Sequence, residues 1–288
     1  MTAIQWTEAT WNPTTGCDQV SPGCDNCYAL TMAKRLKGMG SAKYQTDGNP
    51  KTSGPGFGIA EHWDTLEMPL RWRKPRKVFV NSMSDLFHDG VSKDFIVRVF
   101  AVMAATPQHT YQILTKRHGR MRSVVADPKF REDVMDEAYT SLDLNQDWAD
   151  TVTDRPWPLS NVHLGVSVED QKRADLRIPA LINTPAAVRF LSCEPLLGPV
   201  NLFDLAGLIS LRPAITYLNW VIIGGESGPG ARPMELDWAR QLVQQCREAG
   251  VGAFVKQLGS VWAGHGKGGD MDSWPEDLRV REYPEVAW

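Results

Sequence analysis

Three of the chain's five cysteines fall within residues 14–29, at Cys17, Cys24 and Cys27, spaced C-x6-C-x2-C. Gly16, Pro22 and Gly23 let the backbone turn tightly enough for three sulfurs to converge on one metal centre. The set is one ligand short of a closed structural zinc site, which needs a fourth Cys or His. A 4Fe-4S cluster held by three thiolates instead keeps one iron open to bind something else, which points to chemistry at the metal. The spacing alone leaves both readings standing.

A length of 288 residues fits one large domain or two small ones with ample capacity for a core. The clustered cysteines sit too close together for a disulfide framework, so metal ligation or reduced thiols are expected. No stretch resembles a signal peptide or an apolar run of membrane-spanning length, and a cytoplasmic location with no membrane partner is expected. A net charge of -3 gives no global signature of nucleic-acid binding. Basic groups nevertheless cluster at Lys34, Arg35 and Lys37, at Arg71, Arg73, Lys74, Arg76 and Lys77, and at Lys116, Arg117, His118, Arg120 and Arg122. Such runs usually are solvated faces, and a phosphate track is the alternative.

Residues 4–11 read as a first strand leading into the cysteine loop, followed by a helix over 28–37. Short apolar strands are then expected at 77–81, 110–114, 162–166, 188–191, 220–223 and 253–255, most of them separated by helix-like segments, of which 95–104 and 238–248 are the clearest. Strands alternating with helices indicate parallel pairing. The fold class expected is α/β, a full or partial (β/α) barrel over 1–259 with helical and loop insertions at 38–77, 127–160 and 198–218. The glycine- and tryptophan-rich tail, 260–288, is expected to pack on the barrel.

Every expected strand ends in polar residues: Asn81 to Asp85, Thr115 to Arg117, Ser167 to Glu169, Ser192 to Glu194, Gly224 to Gly228, and Lys256 with Gln257. In a parallel barrel these C-terminal ends gather on one face, where the active sites of that architecture lie. Cys193 at a strand end reads as a small buried hydrophobe or a reactive group near the cluster mouth, Cys246 as structural, and the six histidines lack metal-ligand spacing. The tryptophans read as packing first and base-stacking platforms second.

The run from Gly16-Cys17 to Cys27-Tyr28-Ala29, with Asn81-Ser82-Met83-Ser84-Asp85-Leu86-Phe87, Leu114-Thr115-Lys116-Arg117, Gly165-Val166-Ser167-Val168-Glu169, Ser192-Cys193-Glu194-Pro195-Leu196 and Gly224-Gly225-Glu226-Ser227-Gly228, resembles the phage-associated three-Cys-motif family. That family looks like a divergent branch of the radical S-adenosylmethionine (SAM) enzymes, and the resemblance covers nearly the whole chain. Radical SAM enzymes usually carry C-x3-C-x2-C with an aromatic residue before the third Cys, whereas Asn26 stands there and Tyr28 follows. Their glycine-glycine-glutamate motif follows the second strand, while Gly224-Gly225-Glu226 follows the sixth expected one.

The resemblance implies a barrel of radical SAM type in which Cys17, Cys24 and Cys27 hold a 4Fe-4S cluster whose open iron chelates SAM. Reductive cleavage would give a 5'-deoxyadenosyl radical that abstracts hydrogen from the substrate. By position Ser82, Ser84 and Asp85 fall to the methionine end of SAM and Ser167 and Glu169 to the ribose, with Ser227 in the same cofactor-binding set. Glu194, Glu226, Lys116 and Lys256 are the candidates for substrate contact or proton transfer. The implied setting is a bacterial or phage-infected cell, with an isomerase acting in thymidine or DNA hypermodification, an electron donor such as flavodoxin or ferredoxin, and the three-Cys-motif partner protein. A radical lyase or repair activity on nucleic acid, and a non-catalytic protein stabilised by structural zinc, are the rival expectations.

Overall fold

A computed structural model describes residues 4–142, 152, 154–205 and 212–284. Its strands, in chain order, are β1 (Ala9–Trp11), β2 (Thr14–Thr15), β3 (Ala60–Glu61), β4 (Lys77–Val80), β5 (Thr110–Thr115), β6 (Val162–Ser167), β7 (Val188–Cys193), β8 (Trp220–Gly224) and β9 (Gly252–Gln257). The α-helices are α1 (Tyr28–Gly38), α2 (Lys93–Ala105), α3 (His118–Val125), α4 (Phe130–Ser141), α5 (Gln171–Ile182), α6 (Leu236–Ala249) and α7 (Ser260–Ala263). Seven strands form a hydrogen-bonded sheet in the order β1-β4-β5-β6-β7-β8-β9. The registers of β1 on β4, β4 on β5, β7 on β8 and β8 on β9 are all parallel. The chain is therefore a mixed α/β protein, and this order, with helices between successive strands, is compatible with a partial β/α barrel.

Two compact units divide the chain, and the division falls inside β6. The first comprises residues 1–19, 28–164 and 184–187, the second 20–27, 165–183 and 188–288. Cys17 belongs to the first unit, Cys24 and Cys27 to the second.

In the first unit α2 presents ten buried residues, which makes it an internal helix rather than an amphipathic surface one. Its start is fixed by Ser92, whose side chain accepts the Phe95 N–H at 3.2 Å. Helix α4, inside the expected insertion 127–160, packs against α2; residues 143–151 and 153 of that insertion lie outside the described residues. Strand β1 is shorter than the expected 4–11, because the residues before it turn, the Thr7 N–H donating to the Ile4 carbonyl at 3.4 Å. Strand β4 stops before Asn81, whose φ of 60° leaves the extended region. The long insertion 38–77 contributes β3, which pairs antiparallel with β2 just ahead of Cys17.

In the second unit all five residues of β8 are buried, as expected of a parallel strand covered on both faces. Helix α6 closes on Gly250 at φ 67°, a left-handed C-cap. Within the expected insertion 198–218 a 3-10 turn covers Ala214–Tyr217, and residues 206–211 lie outside the described residues. The segment after β9 packs along it: Arg281 bridges Phe254 antiparallel, and Glu282 N–H donates to the Ala253 carbonyl at 2.8 Å. Tyr283 stacks on Trp220 with ring centroids 5.6 Å apart, and Trp274 is buried with its indole N–H on the Gly268 carbonyl at 3.0 Å. Among the described residues no helix is long and apolar enough to cross a membrane.

Candidate functional site

In the first unit the approach to Cys17 is built on the end of β4. Gly16 donates its N–H to the Met83 carbonyl at 3.2 Å and sits at φ 90°, where a Cβ would lie 2.1 Å from the Gly58 carbonyl oxygen. Only glycine fits both the left-handed backbone and that approach. Ser84 donates to the Thr14 carbonyl at 2.9 Å and shares a hydroxyl–hydroxyl bond of 2.8 Å with Thr14. The Ser82 hydroxyl reaches Asn12 Oδ1 at 3.1 Å, and Tyr28 donates to the Ser82 carbonyl.

Asp85 links this strand end to the next. Its Oδ1 accepts from the Thr115 hydroxyl at 2.7 Å and its Oδ2 from the Lys116 N–H at 3.0 Å. Arg117 Nη1 stands 3.5 Å from the same Oδ2 and 3.3 Å from Cys17 Sγ, and its Nη2 donates to the Asp18 carbonyl at 3.4 Å. Burial works against the Arg117 charge, yet Cys17, Asp85 and Asp18 raise its pKa above the usual value. Asp18 accepts from Thr52, from Ser53 at 2.9 Å and from His88 Nε2 at 2.9 Å. Burial alone would raise the Asp18 carboxyl; these three partners bring it below its ordinary range. Because His88 Nδ1 accepts the Gly90 N–H at 3.0 Å, Nε2 carries the proton given to Asp18.

In the second unit two glutamates fasten the arm that carries Cys24 and Cys27. Glu169, just beyond β6, accepts the Ser21 hydroxyl on Oε1 at 2.8 Å and Arg177 Nη1 of α5 on Oε2 at 2.9 Å. That ion pair is buried, with side-chain exposures of 3% for Arg177 and 0% for Glu169. A Cβ on Gly23 would lie 2.5 Å from Glu169 Oε1, so glycine there lets the loop close onto the carboxylate. Glu226, just beyond β8, accepts Asn26 Nδ2 at 3.0 Å and is held bidentately by Arg232, Nε to Oε2 at 2.9 Å and Nη2 to Oε1 at 2.6 Å. Arg232 also donates to the Pro22 carbonyl at 2.8 Å and to Asp25 at 3.1 Å. Burial would raise the Glu226 carboxyl, and its hydrogen bonds from Arg232 and Asn26 carry it below the usual range instead.

Glu194 at the end of β7 and Lys256 in β9 form an ion pair of 2.6 Å across Gly224 of β8, with side-chain exposures of 18% and 17%. Ser227 is half-buried and makes no side-chain hydrogen bond among the described residues. Cys193 and Cys246 are buried, and burial pushes the Cys193 thiol far up and the Cys246 thiol to about 12. Both are inert small side chains at neutral pH.

The residues singled out in the sequence thus divide by task. Ser84, Asp85, Glu169 and Glu226 are committed to loop scaffolding, Ser167 is buried with its carbonyl on Arg177 Nη1 at 2.8 Å, and Lys116 is half-buried. Glu194 and Lys256 face each other. Among the described residues no group of three or more His, Cys, Asp or Glu side chains stands in metal-holding geometry. Sequence reasoning missed Arg177, Arg232, Asn26, Asp18 and His88. Two of these, Asp18 and Asn26, were visible as polar residues beside the cysteines.

Residues 1–279 match the family described as "Protein of unknown function (DUF5131)", and the chain belongs to that family. No curated protein and no solved structure matches it.

Proposed function

We propose that the chain is a radical SAM-type enzyme in which Cys17, Cys24 and Cys27 would hold a 4Fe-4S cluster. One observation carries the reading: residues beyond the C-terminal ends of parallel strands fasten each arm of the cysteine segment within its own unit. Arg117, set by Asp85, does so beside Cys17; Glu169 and Glu226 do so around Cys24 and Cys27. The donor set fits the group. All three cysteines are free of disulfides, and soft thiolates suit iron–sulfur clusters. Arg117 adds a cationic donor to Cys17, the kind of outer contact that tunes a ligand thiolate.

When bound, the cluster supplies the electron that cleaves the sulfonium of SAM and so starts hydrogen abstraction from the substrate. The protein orients and excludes water. The hydroxyls of Ser82 and Ser227 serve the cofactor, while Ser84, Asp85, Ser167 and Glu169 shape its surroundings through the backbone they hold. Lys256 Nζ donates a hydrogen bond to Glu194 Oε1 at the strand ends, and the two serve as the proton donor and acceptor for a substrate heteroatom. The proposed substrate is a thymidine-derived base in phage DNA, and the proposed outcome is isomerisation. Reduction by flavodoxin or ferredoxin, association with the three-Cys-motif partner protein, and a cytoplasmic location in the bacterial host complete the reading.

The test is anaerobic incubation of reconstituted protein with dithionite and SAM. Formation of 5'-deoxyadenosine, lost in Cys17→Ala, Cys24→Ala and Cys27→Ala, is expected. Intact SAM with a fully loaded protein would contradict the proposal.

A further inference from the structure

The connection entering β4 reads Arg71-Trp72-Arg73-Lys74-Pro75-Arg76-Lys77, five cations in seven residues with no carboxylate among them, in a chain whose net charge is -3. Arg71, Arg73, Lys74 and Arg76 are all exposed, and none forms an ion pair among the described residues. Glu67, four residues before Arg71, is held by Arg98 at 2.9 Å instead. Several cations of the other basic runs have partners within the chain, while Lys34, Arg35 and Arg122 are exposed. Lys37 pairs with Asp47, Arg117 serves Asp85 and Cys17, and Arg120 donates to the carbonyls of His88 and Val91.

The turn is anchored. Trp72 N–H donates to the Pro69 carbonyl at 3.1 Å, and Thr110 N–H to the Arg76 carbonyl at 2.9 Å. The Trp72 ring lies under the Arg76 guanidinium, 5.0 Å from its centroid, and meets the His109 ring edge to face at 5.5 Å. Pro75 fixes one φ in the middle of the run. An anchored display of cations costs less ordering entropy on binding than a flexible basic tail.

We propose that this turn docks the phosphate backbone of duplex DNA, and the proposal stands independently of the cluster. Its chemistry is four unpaired cations on one short turn, three of them guanidinium groups suited to phosphate. Duplex is favoured over single strand because Trp72, the aromatic residue of this turn, is already engaged by Arg76 and His109 rather than offered to unstacked bases. The turn lies at the N-terminal end of β4, whereas Ser82 and Asp85 follow its C-terminal end; four strand residues put about 13 Å between them. Contacts there hold the polymer and position it without reading sequence.

The experiment is fluorescence anisotropy of the purified chain with a labelled 20-base-pair duplex across a salt series, beside the parallel variant Arg73→Gln/Lys74→Gln. Neither substituted side chain contacts another ring or carboxylate, and a melting curve like the parent's shows that the fold is kept. With four phosphate contacts, log affinity against log salt has a slope of about -3.6, an affinity loss of about 150-fold between 50 and 200 mM salt. The variant's slope falls to about -1.8, equally for unrelated duplex sequences. Four outcomes would overturn the proposal: no duplex binding at 50 mM salt, a variant slope equal to the parent's, tighter binding of a single strand of the same length, or tighter binding of phosphatidylserine vesicles.

Discussion

Arg232 grips the Glu226 carboxylate through two nitrogens, at 2.6 and 2.9 Å, and spends its remaining donors on the Pro22 carbonyl and Asp25 of the cysteine segment. A glutamate beyond a strand end and an arginine six residues later thereby fix the backbone from Pro22 to Asn26. The pair gives Cys24 and Cys27 a defined setting through protein contacts alone.

Arg232→Ala leaves Glu226, 6% exposed, with its charge poorly compensated. Because Arg232 itself is 31% exposed, solvent screens part of the loss, and about 1–3 kcal/mol of stability is expected to go rather than the full cost of breaking a buried pair. Urea unfolding checks the stability, and iron content after reconstitution is expected to fall by more than half while far-UV circular dichroism stays unchanged. The Glu226 pKa is depressed, so its contribution is present above the unfolded carboxyl value of about 4.3 and is lost as pH falls through the folded value.

The Glu169–Arg177 pair is deeper, and breaking it from one side is expected to cost about 3–5 kcal/mol. Arg177→Met should show that loss in urea unfolding. Glu169→Gln/Arg177→Met, which removes both charges, should recover part of it. Equal destabilisation of the single and double variants would mean that packing rather than charge sets the cost.

Arg117 stands 3.3 Å from Cys17 Sγ, where it favours the thiolate. In cluster-free protein Arg117→Met is expected to slow alkylation of Cys17 by iodoacetamide at pH 7 severalfold, read by peptide mass spectrometry. Buried Cys193 and Cys246, whose thiols burial raises, should stay unmodified in parent and variant alike.

His163, buried in β6, has its pKa pushed down to about 4 by burial and, to a smaller degree, by the Lys77 charge. The unfolded chain takes up a proton near pH 6.5 and the folded chain does not, so stability is full above that value and declines as pH falls toward 4. About 3 kcal/mol is expected to go between pH 7 and pH 4 from this residue, and His163→Gln should flatten that part of the urea-unfolding profile.

The architecture was legible where burial leaves a pattern. Strands β6 and β8 are buried along their whole length; β8 stands out as a continuous apolar run, and β6 as an apolar stretch that carries His163 within it. Strands β2 and β3 have two residues each, too few to show a period, so the pairing that leads into Cys17 was hidden. The cysteines and the strand-end glutamates could be picked out by spacing and context. Their partners could not, because Arg177 on a helix and Arg232 in a loop look like ordinary solvated cations until the backbone brings each onto its glutamate. Long-range pairs such as Asn26 with Glu226, 200 residues apart, leave no local trace at all.

The central claim is that three cysteines hold an iron–sulfur cluster, and the most direct test is the iron, acid-labile sulfide and zinc content of protein purified and reconstituted without oxygen. About four irons and four sulfides per chain are predicted, lost on replacing Cys17, Cys24 or Cys27 by Ala and kept on replacing Cys193 or Cys246 by Ser. One tightly bound zinc with no sulfide, and variants that unfold when it is removed, would contradict the account and mark the segment as a structural metal site.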